Sequence, residues 1–163
     1  MTAPIDPTVT LASFQQAVQL GQIQLERGAI DPQLYVHMDQ PVGNPGLTYA
    51  LLEGETVTAF VQFLQRESIE GTPSFNIGLA VPKAFREQGR GKEIVSAAIA
   101  ELRRGFAHAG VPCFHIEAIV EADNQACQRV AEATISKLAT PATDRYSGKP
   151  AFRYLRKVQS AAG

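Results

Sequence analysis

The stretch that decides the fold is Val81-Pro82-Lys83-Ala84-Phe85-Arg86-Glu87-Gln88-Gly89-Arg90-Gly91-Lys92. An apolar run typical of a strand, residues 75–81, precedes it, and an amphipathic helix of about residues 89–108 follows it. A helix that begins at such a turn presents unpaired N–H groups and the positive end of its dipole, and both favour a bound anion. Gly89 and Gly91 have no Cβ that would keep a phosphate oxygen away from the backbone. The stretch therefore predicts a site for a phosphate-bearing cofactor.

Two familiar phosphate-binding motifs do not fit this stretch. A Walker-type loop needs Gly-x-x-x-x-Gly-Lys-Ser/Thr, but Arg86 stands at its first glycine and Glu93 at its hydroxyl position. A dinucleotide fingerprint needs a third glycine where this chain has Ile94. Both motifs fail at positions that carry their chemistry.

The residues Arg86-Glu87-Gln88-Gly89-Arg90-Gly91 instead match Arg-x-x-Gly-x-Gly. This pattern resembles the pyrophosphate-binding loop of the GCN5-related N-acetyltransferase (GNAT) superfamily. Its context supports the resemblance, because an apolar strand precedes it, an apolar helix face follows it, and a further strand ends near Asn124. The resemblance covers roughly residues 47 to 157. The alternative is an ordinary glycine turn between a strand and a helix.

Composition is typical of one globular domain, residues 1–163, with loose ends at 1–7 and 160–163. The chain has 163 residues, of which 45% are hydrophobic and 19% charged. Its net charge of -1 shows no excess of positive charge of the kind that binds nucleic acid or an anionic membrane. No apolar run is long enough to span a bilayer, and no signal peptide is recognisable. Cys113 and Cys127 form neither a metal-type spacing nor a disulfide scaffold, so we expect a cytoplasmic protein with free thiols and no metal.

The expected elements follow from hydrophobic periodicity and turn residues. Strand candidates are residues 9–11, 34–38, 47–52, 56–65, 75–81, 114–120, 145–147 and 151–158. Helices are expected from a Ser13 capping box to Gly28, over 89–108, and from Asp123 or Asn124 to about 135. Segment 139–143 is predicted to be a linker. The resemblance implies an α/β (α+β) fold, with a GNAT-like mixed, mostly antiparallel twisted sheet of about 6–7 strands flanked by helices around a central strand–loop–helix–strand–helix acyl-CoA core.

The resemblance implies acetyl-CoA as the cosubstrate. In that superfamily the sheet splays between the strand ending here at Val81 and the one ending near Val120. The pantetheine arm lies in that gap, and a backbone N–H of the first strand polarises the thioester carbonyl. Arg86 is expected to clamp the pyrophosphate. The residues expected to bind the cofactor are Leu79, Ala80, Val81, Arg86, Glu87, Gln88, Gly89, Arg90, Gly91, Lys92, Asn124 and Arg129.

Four of these residues have a simpler interpretation. Arg90 and Lys92 are about as well explained as solvated surface residues. Asn124 matches an asparagine that contacts the pantetheine arm in many members, but it would also be a good helix N-cap, and the two roles are compatible. Arg129, a possible adenosine-phosphate contact, is better explained as a surface residue.

The chain departs from the superfamily at the general acid. Many members carry a tyrosine seven residues after the asparagine, and here that position is Ala131. Either another group protonates the thiolate, with Tyr146 and Tyr154 nearest in sequence, or the thiolate leaves unaided. A third interpretation is that the protein binds acetyl-CoA without rapid turnover.

An ammonium acceptor also needs a base. Relatives that acetylate protein N-termini use a glutamate at the position of Ile119, and Glu117 and Glu121 share its face. Glu117 lies within an otherwise apolar strand, where an unpaired carboxylate would be costly to bury. Glu117 is therefore the candidate base or acceptor-binding carboxylate, and the predicted catalytic residues are Glu117 and Tyr146.

The leading hypothesis is an N-acetyltransferase that moves an acetyl group from acetyl-CoA directly to an amine of an unidentified small molecule or peptide. The alternatives are a non-catalytic acyl-CoA-binding or sensing domain and an interaction module without a nucleotide site. The acceptor is expected to be selected by the first helix, the loop 41–46 and the final hairpin. Relatives commonly dimerise through terminal strands, so a homodimer is a possible assembly, with no nucleic acid or membrane partner.

Overall fold

A computed structural model describes residues 7–23, 25–30, 33–39, 46–144 and 147–160. These residues form one eight-stranded sheet in the order β1-β2-β3-β4-β5-β6-β8-β7, with three α-helices. The elements are α1 (Pro7–Gln19), β1 (Glu26–Arg27), β2 (Leu34–Asp39), β3 (Gly46–Glu53), β4 (Thr56–Ile69), β5 (Thr72–Ala80), α2 (Arg90–His108), β6 (Cys113–Glu121), α3 (Gln125–Thr134), β7 (Ala139–Thr143) and β8 (Pro150–Gln159). The predicted mixed, mostly antiparallel sheet is confirmed, with eight strands rather than six or seven.

The two faces of the sheet are covered differently. On one face, α2 packs with Ile94, Val95, Ala98, Ile99 and Leu102 buried. This spacing of three and four residues buries a single stripe of the helix and is the reason the segment is helical. On the other face α1 covers the first part of β4, where Phe14 contacts Phe60 with ring centroids 5.3 Å apart. The rest of this second face carries more polar side chains.

A gap between β5 and β6 divides the sheet. All neighbouring strands are antiparallel except these two, which pair in parallel at Ser74–His115, Phe75–Ile116 and Asn76–Glu117. Both strands continue beyond the last pair, β5 to Ala80 and β6 to Glu121. Within the described residues, the edge of β5 over 77–80 that faces away from β4 therefore has no strand partner, and the predicted splay is present.

The N-terminal segment differs from the prediction. Residues 9–11 are helical rather than extended, Ser13 lies inside α1 rather than at its cap, and the helix ends at Gln19 rather than at Gly28. Pro7 is tolerated in the first turn because the N–H that it lacks would have no partner there. Packing of Leu11 and Phe14 on the sheet overrides the β propensity of the threonines. Residues 1–6 of the expected loose N-terminal arm lie outside the described residues.

The C-terminal hairpin also differs from the prediction. Segment 139–143, predicted to be a linker, is strand β7, and it pairs with β8 from Ala139–Tyr154 to Thr143–Pro150. Its side chains are mostly exposed, so the sequence shows no apolar alternation, and Pro141 is compatible with an edge strand. The strand predicted at 145–147 falls partly on residues 145 and 146, which are outside the described part, as are residues 161–163 of the expected loose tail.

Candidate functional site

A cleft of about 1070 Å³ lies where the gap between β5 and β6 opens. The ends of β5 and the following loop form one wall, the first turns of α2 and α3 form a second, and α1 with the start of β4 forms a third. Its lining residues are Leu11, Ala12, Gln15, Thr56, Val57, Leu79, Ala80, Val81, Pro82, Lys83, Phe85, Arg86, Glu87, Gly89, Arg90, Gly91, Lys92, Asn124, Ala126, Cys127, Arg129 and Val130. All the predicted cofactor residues except Gln88 are in this set.

The loop between β5 and α2 leaves a run of backbone N–H groups without acceptors. After a short 3-10 turn, Lys83–Phe85, the backbone is left-handed at Glu87 (φ 62°) and at Gly89 (φ 75°), the N-cap of α2. Among the described residues, no side chain caps this helix. Within the described residues, the N–H groups of residues 87–92 donate to no acceptor, and the first bond is from Glu93 N–H to Gly89 O. Six free donors at the positive end of a helix dipole favour an anion.

The cleft is basic in a chain that is nearly neutral. Its lining, as far as the described part of the chain goes, carries five cationic side chains and one carboxylate, that of Glu87. The cationic residues are Lys83, Arg86, Arg90, Lys92 and Arg129. Because the whole chain has a net charge of -1, positive charge is concentrated at this end of the sheet, where it complements the free amides.

Arg86 is held in place by the strand that precedes it. Its Nε donates to the carbonyl oxygen of Val81 at 2.9 Å. The bond occupies a backbone acceptor at the end of β5 and fixes the guanidinium beside the loop. In the described structure the two Nη groups of Arg86 have no acceptor, which leaves the planar fork free for a doubly coordinated oxyanion.

Arg90 contacts the protein through all three nitrogens of its guanidinium group. Its Nη2 lies 3.0 Å from a carboxylate oxygen of Glu53, its Nη1 donates to the hydroxyl of Thr58 at 3.2 Å, and its Nε donates to Gln88 Oε1 at 3.3 Å. Its guanidinium lies 5.2 Å from the ring centroid of Phe85. Arg90 is thus held by the protein rather than solvated, and each of its three nitrogens already has a partner. It ties the loop to the hairpin of β3 and β4.

The first turn of α2 packs closely because residue 91 is glycine. A Cβ at Gly91 would lie 3.2 Å from Leu79 Cδ2 and 3.3 Å from Val130 Cγ2. The glycine therefore allows the helix start to approach both β5 and α3. At Gly89, by contrast, a Cβ would meet no atom of the described residues within 4 Å, and it is the positive φ that favours glycine.

The start of α3 has the N-cap that the sequence predicts. Asn124, rather than Asp123, is the cap, and its side-chain oxygen accepts from the backbone N–H of Cys127 at 3.1 Å. Burial raises the pKa of the Cys127 thiol, and the Asn124 hydrogen bond and the Arg86 charge only partly oppose this rise. Cys127 therefore stays a protonated thiol at neutral pH, as expected for a packing residue.

Glu117 lies at the closed end of the gap and outside the cleft lining. Its Oε2 accepts from Arg153 Nε at 2.6 Å and its Oε1 accepts from Asn76 Nδ2 at 3.3 Å. Its side chain is 22% exposed. The carboxylate is therefore paired rather than isolated, which removes the cost of burial that suggested a functional role.

The tyrosines near Ala131 in sequence are in different positions. Tyr146 lies outside the described residues. Tyr154 packs in the core on the side of α2 and α3 and is 1% exposed. Burial and the nearby Glu132 carboxylate raise the pKa of Tyr154. Its phenol therefore keeps its proton at neutral pH.

Some site residues could not be identified from the sequence. Asn76 and Arg153 meet Glu117 only because β5, β6 and β8 are neighbours in space, and Leu11 and Gln15 reach the cleft only through the packing of α1. Lys83 could have been identified, since it lies in the loop and is cationic. His115, on the same strand as Glu117, is 8% exposed, and its Nδ1 has no partner within the described residues.

In the residues that the structure describes, no group of three or more His, Cys, Asp or Glu side chains is arranged to hold a metal ion. None of the described helices has the length and apolar character needed to cross a membrane.

The chain was compared with protein-family models, with curated proteins and with solved structures. No protein-family model and no curated protein matches the chain. A GNAT-family acetyltransferase from Streptococcus pneumoniae is 11% identical with a TM-score of 0.52, over 69% of this chain and 66% of that one. RimL, a ribosomal L7/L12 alpha-N-protein acetyltransferase in complex with coenzyme A, is 19% identical with a TM-score of 0.52, over 71% of this chain and 64% of that one.

The chain thus spans just under two thirds of the length of these two structures. The resemblance that the loop sequence indicated is confirmed at the level of the fold: the chain has the GNAT fold.

Proposed function

We propose that this chain with the GNAT fold is an acetyltransferase that uses acetyl-CoA and an amine acceptor. One observation carries the proposal: six free N–H groups and an excess of cations line a cleft that leads directly onto the unpaired edge of β5. A phosphate-bearing molecule with an extended polar arm fits this combination, because the loop suits its phosphates and the strand edge suits its arm. The coenzyme A complex of RimL, a protein of the same fold, supports the choice of cofactor.

Different residues of the cleft would bind different parts of acetyl-CoA. The amides of residues 87–92 would hold the pyrophosphate, with the free Nη groups of Arg86 across from them. The backbone edge of Leu79 to Val81 would bind the pantetheine arm, and Asn124 has its side-chain N–H groups left to reach the same arm. Lys92 and Arg129, both exposed, would add positive charge towards the adenosine phosphate.

Acetyl-CoA supplies an acetyl thioester, and the chain would supply the proton transfers and the oxyanion contact. The amine nitrogen forms a bond to the carbonyl carbon while the carbon–sulfur bond breaks, so the amine loses a proton and the thiolate gains one. A free N–H on the β5 edge would stabilise the oxyanion. Glu117, at the closed end of the gap, would accept the proton from the acceptor.

The proton donor to the thiolate is a separate proposal. Tyr146 remains the candidate from the sequence, since Ala131 is buried in α3 and cannot donate. Tyr154 has the protonation state of an acid, but its side chain belongs to the core rather than to the cleft. A thiolate that leaves without help is compatible with the same site.

Binding can be tested with two variants of one residue. In Gly89→Asn and Gly89→Asp the new side chains have nearly the same size and both tolerate a left-handed backbone, but only aspartate adds a negative charge among the free amides. We expect Gly89→Asp to weaken acetyl-CoA binding at least ~10-fold more than Gly89→Asn in isothermal titration. Equal affinities of the two variants would contradict a phosphate site at this loop.

The buried alanine at position 131 favours one alternative, an acyl-CoA sensor without turnover. An enzyme releases free thiol from acetyl-CoA when an acceptor amine is present, whereas a sensor only binds. Thiol release measured over a panel of amines, against a blank without protein, distinguishes the two. Binding without thiol release from any amine would support the sensor.

A further inference from the structure

A polar bridge crosses the sheet where the gap closes. Asn76 of β5, Glu117 of β6 and Arg153 of β8 are linked by the two hydrogen bonds of the Glu117 carboxylate, at 3.3 Å and 2.6 Å. Asn76 and Glu117 also form the last parallel backbone pair before the strands separate. These three side chains therefore lie at the closed end of the gap, next to the part of the β5 edge that has no strand partner within the described residues.

The three side chains project from the face opposite to α2 and α3. Along β6, Phe114, Ile116, Ala118 and Val120 belong to the core beneath those helices, so the alternate residues, Glu117 among them, face the other way. Arg153 pairs in register with Ile119. Ile119 is two residues beyond Glu117 on β6, so its side chain and that of Arg153 lie on the same face as Glu117, further towards the open end of the gap. The bridge is thus accessible from the side of the sheet that the α2–α3 layer does not cover.

The Arg153 guanidinium is oriented by one hydrogen bond, and part of it has no partner among the described residues. Its Nε bonds to Glu117, and within the described residues neither Nη has a hydrogen-bond or ion-pair partner. Its side chain is 38% exposed. A guanidinium fixed through Nε by one carboxylate presents its two Nη groups as a fork, and a second carboxylate is the group that such a fork binds in a bidentate manner.

We propose that the acceptor is a small amine that carries its own carboxylate, as an amino acid does, and that Arg153 binds this carboxylate. The inference rests on the proposed acetyltransferase function. Each Glu117 oxygen accepts one hydrogen bond and keeps further acceptor capacity, so Glu117 can receive the acceptor ammonium beside Arg153. The Glu117–Arg153 pair is neutral in sum and complements a zwitterion, which is also neutral.

The size of the acceptor follows from the same contact. The Glu117 and Arg153 groups are in direct contact at 2.6 Å, so an acceptor that engages both must hold its amine and its carboxylate close together. An amino acid with both groups on one carbon fits this spacing. A polyamine, or a peptide whose carboxylate is remote from its N-terminus, does not.

The test compares matched acceptors. We would measure kcat/KM by thiol release for a panel of L-amino acids, each beside its carboxamide, with spermidine and N-terminal peptide amides included. The carboxamide keeps the size and the amine, and its amine is less basic, so it presents more of the reactive neutral form at a given pH. Measured at about pH 7, where both amines are mainly ammonium, the two acceptors differ little in the form that Glu117 would receive, so a preference of about 10-fold or more for the free acid reports the carboxylate.

We expect the wild type to favour at least one free acid over its amide by about 10- to 100-fold. In Arg153→Gln this ratio should fall to about one, and in Arg153→Lys it should be intermediate, because lysine keeps the charge without the fork. Lys157→Gln is the matched control, since this exposed cation lies on the same strand and face, opposite His115 rather than the gap, and it should keep the wild-type ratio. Arg153→Gln also leaves the Glu117 charge unbalanced, which by itself disfavours a second carboxylate, so Arg153→Lys, which keeps that charge, separates the loss of the fork from the loss of the positive charge.

Acetyl-CoA titration shows whether each variant is folded. Thiol release that is equal for acids and amides, or that occurs only with spermidine or peptide amides, would overturn this inference and leave the acetyltransferase function standing. A wild-type preference for acids that persists in Arg153→Gln would overturn the role of Arg153. Acetyl-CoA binding without thiol release from any amine would overturn the inference together with the transferase proposal.

Discussion

At the scale of single residues, Arg86 and Arg90 of the same loop differ in how many of their guanidinium N–H groups still lack an acceptor among the described residues. Arg86 donates one N–H to Val81, and its Nη groups have no acceptor among the described residues. Arg90 instead donates from each of its three nitrogens, to Glu53, Thr58 and Gln88. Since a phosphate can be bound only by donors that are still available, the two residues should respond differently to the loss of their charge.

Arg86→Gln should weaken acetyl-CoA binding about 10-fold or more and reduce its dependence on salt. Arg90→Gln should instead lower the free energy of unfolding by about 1 kcal/mol, because it breaks an ion pair that is half exposed and a bond to a buried hydroxyl. Isothermal titration at two salt concentrations and urea unfolding separate these effects. A salt dependence that Arg90→Gln reduces as strongly as Arg86→Gln would place Arg90 on the phosphate.

Residue identities that depend on the local chain were predictable, and those that depend on neighbours in space were not. Gly89, Gly91 and Asn124 occupy positions that a turn, a helix start and an N-cap dictate, so the sequence was sufficient. Two partners of Arg90, Thr58 and Glu53, lie 32 and 37 residues away along the chain, and no spacing rule indicates them.

At the scale of elements, the approach of α2 to β5 and α3 depends on one missing methyl group. Gly91→Ala adds a Cβ that must displace Leu79 and Val130, so we expect a loss of about 1–3 kcal/mol in unfolding free energy and weaker acetyl-CoA binding. Gly105→Ala lies in the same helix with nothing within 4 Å of the new atom. It should stabilise the protein by about 0.5–1 kcal/mol.

Urea unfolding of the two alanine variants checks this contrast. Two variants with the same stability would show that the first turn of α2 can shift without cost.

Elements with a strong apolar pattern were predicted within a few residues, as α2 and β6 were. Elements stabilised mainly by tertiary contacts were not. α1 is helical because its apolar residues face the sheet, and β7 is a strand because β8 supplies its hydrogen bonds. Neither fact is present in the local sequence.

At the scale of the whole molecule, two buried tyrosines make stability depend on alkaline pH. Burial, with smaller effects from Glu101 and Glu132, raises the pKa of Tyr49 and of Tyr154. The folded protein therefore keeps phenol protons that the unfolded chain releases above about pH 10. Since the unfolded state then binds fewer protons, stability falls as pH rises, by up to about 1.4 kcal/mol per pH unit for each tyrosine.

Urea unfolding from about pH 8 to about pH 11 measures this slope. In Tyr49→Phe the free energy of unfolding should fall less steeply with pH, because one of the two titrating phenols is gone. A slope equal to that of the wild type would show that Tyr49 does not contribute to the pH dependence.

The gap between β5 and β6 has a consequence for aggregation. An unpaired strand edge is a template on which other chains can add a strand, and proteins protect such edges. The outer edges of this sheet are poor templates, because β1 has only two residues, both charged, and β7 carries Pro141 in its middle. Within the described residues, a further unpaired edge, on β5, is recessed inside the sheet, closed at one end by the Asn76–Glu117 pair and flanked by β6. A slender molecule can enter there, but the strand of another protein, with side chains on both of its faces, is too broad to do so.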